Sequence, residues 1–335
     1  MKIGIAGVSG FGGGELLRLC ASHPGFDIAY VSGESSAGNT LAQVFPALAA
    51  HPAGAQTIQR FVPEQVAGID LLFASLPTGK SREPLARMAK DIRIVDVGGD
   101  HRFAGGWVYG LTELPGQRAA IRGASRIANP GCFPAAALLA LAPLLQAGLV
   151  EAEGIVIDAK TGVTGTGRGG ASDFGYVSTS ENVFAYGLET HPHVPEIEEA
   201  LSRVAGTPAT VAFTPHLVPM KRGILATCYA RPKGAISGGK LDTARIVEAV
   251  RAAYANEPFV RVVDVDAGRS AQTAWTTASN LAFLSYAVNP RTGLIVAIGA
   301  IDNLGKGAAA QAVQNANLMT GQAETAGLDG VPLLC

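Results

Sequence analysis

Short apolar runs and amphipathic stretches alternate along the first third of the chain. Residues 2–8, 26–33, 70–76 and 93–99 are short and apolar, which predicts buried strands. Between them, 13–23 and 80–90 carry apolar residues at helical spacing; in the first of these, Leu16, Leu17, Leu19 and Cys20 share one face. Strands and helices that alternate in this way are typical of a doubly wound parallel sheet.

The pattern changes after about Asn129. One apolar helix follows Cys132, and then strand-like runs dominate, interrupted by predicted helices at 194–205 and 241–255. These runs are rich in Val, Ile, Thr and aromatic residues and lie at 154–163, 209–218, 223–232, 259–265, 281–288 and 293–301. We therefore predict an α/β protein with a Rossmann-type parallel sheet, followed by an α+β domain with a mixed or antiparallel sheet. A last helix is expected within 305–321.

Composition narrows the class of protein. The length of 335 residues suggests two domains, and 48% hydrophobic residues are enough to build their cores. A net charge of −1 without a basic stripe argues against nucleic-acid binding. The sequence contains no uninterrupted run of 18 apolar residues, so no membrane-spanning segment is predicted. The four cysteines are widely spaced, which suggests that their thiols are reduced. We expect a soluble cytoplasmic protein.

A glycine-rich loop follows the first predicted strand and opens the first helix. Glycines at this place let the backbone approach a pyrophosphate, and the helix directs free N–H groups and a positive dipole at it. The expected cofactor-binding residues are Gly7, Ser9, Gly10, Phe11, Gly12 and Gly13. At the end of the second strand Glu34 would suit NAD, whereas Ser32 and Ser35 would suit the 2′-phosphate of NADP, so these residues do not decide between the two.

Cys132 is the candidate nucleophile. It follows a strand and the turn Pro130-Gly131, and Pro134 stands near the first helical position. A thiol at a helix N-terminus is stabilised as the thiolate, which lowers its pKa. The alternative is that Cys132 is a small apolar filler, as we expect of Cys20 and Cys228. Cys335 is the last residue of the sequence.

Two of the six histidines are candidate proton-transfer groups. His191 and His193 precede a predicted helix, and in an extended segment their rings would face opposite ways. An H-x-H pair could also hold zinc, but no further ligands are evident nearby, so we assign no metal. His23 and His51 are predicted to lie at the surface.

Arginines mark candidate sites for a phosphate or carboxylate group. The loop 160–170 could cradle an anion with Arg168 nearby, or could be a flexible turn. Arg102 follows the fourth strand, at the edge of the sheet where ligands bind, and Arg222 is a further candidate. Together these parts suggest that a cysteine thiolate attacks an acyl phosphate and that hydride from a nicotinamide reduces the resulting thioester to an aldehyde, with histidine shuttling protons.

At this level of detail the chain resembles the N-acetyl-gamma-glutamyl-phosphate reductases, the arginine-pathway members of the semialdehyde dehydrogenase group. The resemblance covers nearly the whole chain and rests on the segments GVSGFGGGEL, NPGCFPAAALLAL, TGVTGTGR, YGLETHPHVPEI, FTPHLVPMKRGI and DNLGKGAAAQAVQNANLM.

The resemblance implies roles for the matched residues. Cys132 matches the nucleophile, His191 and His193 match the segment that supplies the acid/base, and the cofactor is NADPH. Asn303 joins the expected cofactor-binding residues and Asn129 the expected substrate residues. The last helix returns to the nucleotide domain, so 1–131 and 305–335 would form that domain and 132–304 the catalytic and oligomerisation domain of a dimer or tetramer.

Two departures from the family and two rival functions remain. Pro192 stands where many members have Arg, and the segment VSGESSAG lacks an Arg that many members carry, which leaves NADP preference open. The lysine-pathway sister enzyme reduces an aminoadipyl phosphate one methylene longer, a difference worth only about 1–3 kcal/mol of discrimination. A non-catalytic dinucleotide-sensing protein is the rival from another class.

Overall fold

The computed structural model describes residues 1–168, 175–234, 241–265 and 269–333. The chain forms two compact units. The first unit comprises 1–112, 116–131 and 308–330; the second comprises 113–115, 132–307 and the described residues from Val331 onward. In both units most apolar side chains on the strands are buried, as the apolar runs predict.

The first unit is built on a six-stranded parallel sheet. Its strands are β1 (Lys2–Ala6), β2 (Asp27–Ser32), β3 (Leu71–Ala74), β4 (Arg93–Asp96), β5 (Val108–Tyr109) and β6 (Arg126–Ala128), in the order β2-β1-β3-β4-β6-β5. The chain continues from β1 to one side and then to the other, so the end of β1 is the switch point at which such sheets bind ligands. Its first four α-helices are α1 (Phe11–Ala21), α2 (Leu41–Val44), α3 (Arg82–Ala86) and α4 (Gln117–Arg122).

The second unit contains a seven-stranded mixed sheet. Its strands are β7 (Ile155–Thr161), β8 (Phe184–Ala185), β9 (Val211–Leu217), β10 (Ile224–Ala230), β11 (Val260–Val262), β12 (Ala282–Val288) and β13 (Ile295–Ile301), in the order β11-β12-β13-β10-β7-β9-β8. The pairs β7–β9 and β11–β12 are parallel and the others antiparallel. The helices are α5 (Cys132–Gln146), α6 (Tyr176–Thr179), α7 (His193–Ala205) and α8 (Thr243–Ala253). The predicted fold class is confirmed.

Helix α5 is buried along almost its whole length, which explains its uniformly apolar sequence. Every side chain from Phe133 to Leu145 is buried, and α5 packs on β10, β12 and β13. At Gly299 of β13 a Cβ atom would collide with the carbonyl oxygen of Ala136, so glycine is what permits this close packing.

A proline inside α5 leaves one backbone carbonyl without its helical donor. Pro143 has no N–H, so the carbonyl of Leu139 cannot receive the usual bond from four residues ahead. The hydroxyl of Tyr254 donates to that carbonyl at 2.8 Å, and the hydroxyl of Tyr286 donates to the next one, Ala140, at 3.0 Å. Burial raises the pKa of both tyrosines well above the ordinary value, which keeps both hydroxyls protonated.

The last helix, α9 (Ala310–Met319), belongs to the first unit and packs against α1, α4 and β4. A π-helical turn, Gly305–Ala309, precedes it and lies within the single helix expected from the sequence. Four amide side chains of α9 are buried and hydrogen-bonded: Gln311, Gln314, Asn315 and Asn317.

Some local predictions are wrong. His23 is buried, not at the surface, because its Nε2 pairs with Asn317 Oδ1 at 3.0 Å and its ring stacks on Phe26. The second predicted helix shortens to α3, and the two-residue strands β5 and β8 carry too little pattern to be found. Cys335 and residues 235–240 lie outside the described residues.

Removing the Tyr254 hydroxyl is expected to destabilise the protein. Tyr254→Phe leaves the buried carbonyl of Leu139 unpaired, which costs about 1–3 kcal/mol of unfolding free energy, measured in urea. Tyr229→Phe, on the half-buried face of β10, is the matched control and should change stability by less than about 0.5 kcal/mol. In a Pro143→Ala background, the backbone of the new alanine supplies the missing N–H, so the cost of Tyr254→Phe should fall; an unchanged cost would contradict this account.

Candidate active site

Packing requires two glycines of the loop after β1. Gly7 has φ of 82°, in the left-handed region, and a Cβ atom there would collide with the carbonyl oxygen of Ser75. A Cβ atom at Gly13 would collide with the carbonyl oxygen of Gly7. These two glycines hold the loop and the start of α1 tightly against the end of β3.

The same loop leaves space and unused polar groups for a ligand. The nearest atom to a Cβ at Gly10 would be 3.6 Å away, and Gly10 precedes α1, so no side chain caps the helix. The buried hydroxyl of Ser9 has no hydrogen-bond partner among the described residues. It fits beside Gly33 because glycine has no side chain; a Cβ atom there would collide with the hydroxyl oxygen. An uncapped helix N-terminus and a free hydroxyl suit a pyrophosphate, so these residues fit a dinucleotide.

The other expected cofactor residues differ in exposure. Ser32 is buried, and its carbonyl oxygen accepts from the N–H groups of Gly7 and Val8 at 2.8 and 2.9 Å. Glu34 and Ser35 are both exposed just beyond β2. An exposed carboxylate and an exposed hydroxyl therefore stand side by side, and the choice between NAD and NADP is not made by these residues.

A buried polar network lies at the carboxyl edge of the first sheet. His101 Nδ1 is 2.6 Å from Asp96 Oδ2, which also accepts from the hydroxyl of Ser81 at 3.0 Å. Next to it, Arg102 Nε donates to the carbonyl oxygen of Asn129 at 3.1 Å. This bond fixes the root of the guanidinium group, so the structure gives Arg102 a defined orientation.

Asn129 is fully buried, and both ends of its amide are used. Its Nδ2 donates to the carbonyl oxygen of Ala308 at 3.0 Å, and its Oδ1 accepts from Asn315 Nδ2 at 3.0 Å. These bonds tie the end of β6 to α9 and suit a side chain that positions its neighbours.

Cys132 is the first residue of α5, as predicted, and it is partly exposed. Cys20 and Cys228 are fully buried, and burial raises the pKa of Cys20 far above its ordinary value and that of Cys228 to about 12. The predictions that these two are filler are confirmed. Cys132 differs from them because a helix N-terminus and solvent access both favour a reactive thiolate.

Aromatic rings connect Cys132 to the two histidines within the second unit. The ring of Phe133, the next residue, meets His191 and His193 edge-on, with centroids 5.8 and 5.9 Å apart. The Tyr186 ring lies 5.9 Å from His191. Burial raises the pKa of Tyr186, and the charge of a Cys132 thiolate raises it further.

The histidine rings do not face opposite ways. Their centroids are 4.9 Å apart, because His193 begins α7 and the chain turns at Pro192 instead of running extended. The N–H of His193 donates to Nδ1 of His191 at 3.2 Å, so the neutral His191 ring carries its proton on Nε2. Burial lowers the pKa of His191, which favours that neutral form.

Arg222 is held in place by a buried carboxylate. Its Nε lies 2.8 Å from Asp302 Oδ2, and Asp302 is fully buried. The Asn303 side chain binds within the same unit, donating to Thr164 Oγ1 at 3.0 Å and accepting from the N–H of Gly223 at 2.7 Å. Arg168 is exposed, and the last two glycines of its loop lie outside the described residues.

Among the described residues, no group of three or more His, Cys, Asp or Glu side chains could hold a metal ion. In the same part of the chain, no helix combines the length and apolar character needed to cross a membrane.

Two family models match the chain. The model of the semialdehyde dehydrogenase NAD-binding domain matches residues 2–124, and that of the semialdehyde dehydrogenase dimerisation domain matches residues 132–303.

Curated relatives and solved structures agree with this match. N-acetyl-gamma-glutamyl-phosphate reductases of a Bradyrhizobium and a Methylobacterium species are each 54% identical to the chain, over 99% of both sequences. An aspartate semialdehyde dehydrogenase II of Vibrio cholerae has the same fold, with a TM-score of 0.74 at 17% identity over 96% of this chain and 98% of that one. The aspartate semialdehyde dehydrogenase of Candida albicans, solved with NADP, has a TM-score of 0.75 at 14% identity over 95% of this chain and 98% of that one.

The parallel sheet with its glycine loop, together with these matches, defines an oxidoreductase that uses a nicotinamide dinucleotide, NAD or NADP. The chain belongs to the semialdehyde dehydrogenase family, among the N-acetyl-gamma-glutamyl-phosphate reductases.

Sequence reasoning missed several side chains around Cys132. Phe133 and Tyr186 look like ordinary apolar residues in the sequence, and a buried ion pair, Glu113–Lys306, also escaped notice. Lys306 is a lone charge within a run of small and apolar residues, and that isolation is the signal that could have found it.

The two kinds of glycine in the loop predict different variants. Gly10→Ala meets no close atom, so unfolding free energy should change by less than about 1 kcal/mol, while the added methyl group weakens binding of the nicotinamide dinucleotide about tenfold or more. Gly13→Ala collides with the backbone of Gly7 and should lose several kcal/mol of stability. Isothermal titration and urea unfolding measure the two effects; wild-type affinity in Gly10→Ala would contradict the proposed cradle.

Proposed function

We propose that the chain reduces N-acetyl-gamma-glutamyl phosphate to N-acetyl-glutamate 5-semialdehyde and phosphate, with NADPH as the reductant, in arginine biosynthesis. The observation that carries the proposal is a partly exposed cysteine at the N-terminus of α5 beside two histidines, in a chain 54% identical to reductases named for this substrate. The first unit holds the dinucleotide and the second performs the chemistry in this proposal.

Cys132 acts as the nucleophile. Its thiolate attacks the acyl carbon, and the bond between that carbon and the phosphate oxygen breaks. Phosphate departs, and the acyl group remains on the sulfur as a thioester. The N-terminus of α5 stabilises the thiolate before the attack and the charge that develops next to it. Arg222, held by Asp302, is oriented to receive an anionic group, and Arg102 and Arg168 are the further candidates for the phosphate and the carboxylate.

A nicotinamide dinucleotide held by the first unit would supply the hydride that reduces the carbonyl carbon of the thioester. The histidine pair manages the protons on either side of that step: it takes the thiol proton of Cys132, gives a proton to the alkoxide oxygen of the thiohemiacetal, and removes it again as the C–S bond breaks. The aldehyde leaves and the thiolate returns. A neutral His191 has the protonation state that a base at pH 7 needs, because burial keeps its pKa low.

NADP is the proposed form of the cofactor. The Ser35 hydroxyl beyond β2 supports this choice, and the adjacent Glu34 carboxylate opposes it. The proposed location of the enzyme is the cytoplasm, and the proposed assembly is a homo-oligomer. A dimer or tetramer is consistent with the matched dimerisation domain and with β7 and β10, in which buried residues alternate with partly exposed ones.

Cys132→Ser should abolish catalysis. Phosphate-dependent reduction of NADP by N-acetyl-glutamate 5-semialdehyde is expected in the wild type and should fall at least about 10⁴-fold in the variant, because a serine hydroxyl is not ionised at this site. Cys228→Ala in β10 is the matched control, and it should keep kcat within about threefold.

Substrate and cofactor choice are tested in the forward direction, by following the oxidation of NADPH or NADH with each acyl phosphate. N-acetyl-gamma-glutamyl phosphate should be preferred to the aminoadipyl analogue and NADPH to NADH. A preference for the longer substrate would move the assignment to the lysine-pathway enzyme. Full activity in Cys132→Ser would contradict the thioester route, and binding of NADP without turnover of either substrate would favour a sensing role.

The pH profile tests the histidine pair. Because burial lowers the pKa of His191, the neutral ring persists below the ordinary value of about 6.5, and kcat/KM should fall only on the acid side of that pH. His191→Asn should lower kcat about 10²–10⁴-fold and remove this limb. His51→Asn, in the first unit, should leave the limb in place; a limb centred above the ordinary value, or one that survives His191→Asn, would contradict a neutral His191 base.

A further inference from the structure

The backbone of the π-helical turn Gly305–Ala309 touches the proposed nucleophile. A Cβ atom at Gly307 would stand 2.8 Å from Cβ of Cys132, closer than carbon atoms approach, and 3.3 Å from its Cα, which is a tight contact. Both residues belong to the second unit. The position of Cys132 is therefore coupled to the position of this turn.

The turn is held at its beginning by a buried carboxylate. Asp302 Oδ1 accepts from the N–H groups of Leu304 and Gly305 at 2.8 and 3.0 Å, and the carbonyl oxygen of Asp302 accepts from Gly307 at 2.9 Å. A Cβ atom at Gly305 would collide with the carbonyl oxygen of Ser279. Both glycines of the turn thus stand where a side chain would not fit.

Between these two glycines stands a fully buried lysine. Lys306 Nζ lies 2.5 Å from Glu113 Oε1, both side chains are 0% exposed, and the Phe259 ring lies 5.7 Å from the ammonium group. Glu113 comes from a three-residue segment that groups with the second unit, far from Lys306 in sequence. Removing two charges from water is costly, and an apolar pair of equal volume often gives equal or greater stability. Stability alone therefore does not explain this pair.

We propose that Glu113 and Lys306 are positioning residues for Cys132. The ion pair fixes the middle of an otherwise rare π-helical turn, and the turn sets the place of the sulfur through the contact between Gly307 and Cys132. The proposal rests on the proposed role of Cys132 as nucleophile. Neither charged side chain needs to touch the substrate; their effect reaches the reaction through the backbone.

The test removes the pair without leaving a buried charge. In Glu113→Leu/Lys306→Met, kcat should fall about 10–100-fold because the sulfur is displaced, while KM for both substrates stays within about threefold. Alkylation of Cys132 by iodoacetamide, followed against pH by mass spectrometry of its peptide, should change in rate or midpoint. Gly307→Ala, which pushes directly on Cys132, should reproduce both effects.

Glu324→Gln is the matched control. It breaks the partly buried pair Arg118–Glu324, 3.0 Å long, in the first unit, so it should lower thermal stability and leave the alkylation of Cys132 unchanged. If the double variant fails to fold, Glu113→Asp keeps the charge, shortens its reach by one methylene, and is judged by the same two readouts.

Wild-type kcat and wild-type alkylation in a folded pair variant would overturn the proposal, even if its melting temperature falls. The alkylation profile does not depend on which acyl phosphate is the substrate. If the wild type reduces no acyl phosphate, the proposed function fails while alkylation still decides whether the pair positions the thiol.

Discussion

The second unit depends on the packing of one buried helix, α5, whose first residue is Cys132. The sheet approaches the helix through Gly299, which has no side chain to keep the two apart. Two tyrosine hydroxyls donate to the helix carbonyls around the break that Pro143 creates. A helix fixed along its length in this way has a fixed N-terminus, and the N-terminus is where its dipole and the cysteine sulfur meet.

The surroundings of Cys132 follow from the same constraint. Phe133 points away from the helix start toward the histidine rings, and the turn at Gly307 closes against the cysteine backbone. Arg222 is oriented by Asp302, which also anchors that turn. One buried carboxylate thus orients the candidate anion-binding Arg222 and also holds the turn that contacts Cys132. A substitution at Asp302 would therefore disturb both.

Local sequence patterns predicted what depends on neighbouring residues. The Pro-Gly turn and Pro134 predict that a helix starts near Cys132, and the structure begins α5 there. The apolar helix and strand patterns around Cys20 and Cys228 predict that both thiols are buried. The glycine loop is predicted by its place between a strand and a helix. The opposite orientation of the histidine rings is expected only for an extended segment, and the segment is not extended, because the chain turns at Pro192 and α7 begins at His193.

Long-range partners could not be read in that way. The bond from His23 to Asn317 and the pair of Glu113 with Lys306 join residues almost two hundred or more positions apart. A lone sequence contains no periodic signal for such a contact; it shows only that a charge or an imidazole stands in an apolar setting. The hydrogen bond from the Tyr254 hydroxyl to the carbonyl of Leu139, one turn before Pro143, is similar. The proline predicts that this carbonyl lacks a backbone donor, but it does not predict which group replaces that donor.

The thioester on Cys132 is the central claim, and trapping it is the most direct test. The purified enzyme is mixed with N-acetyl-gamma-glutamyl phosphate in the absence of NADPH, quenched in acid, digested and analysed by mass spectrometry. The account predicts one N-acetylglutamyl group on the peptide that contains Cys132 and one equivalent of released phosphate per active site. Release of phosphate with the group on another residue, or with no protein adduct at all, would contradict it.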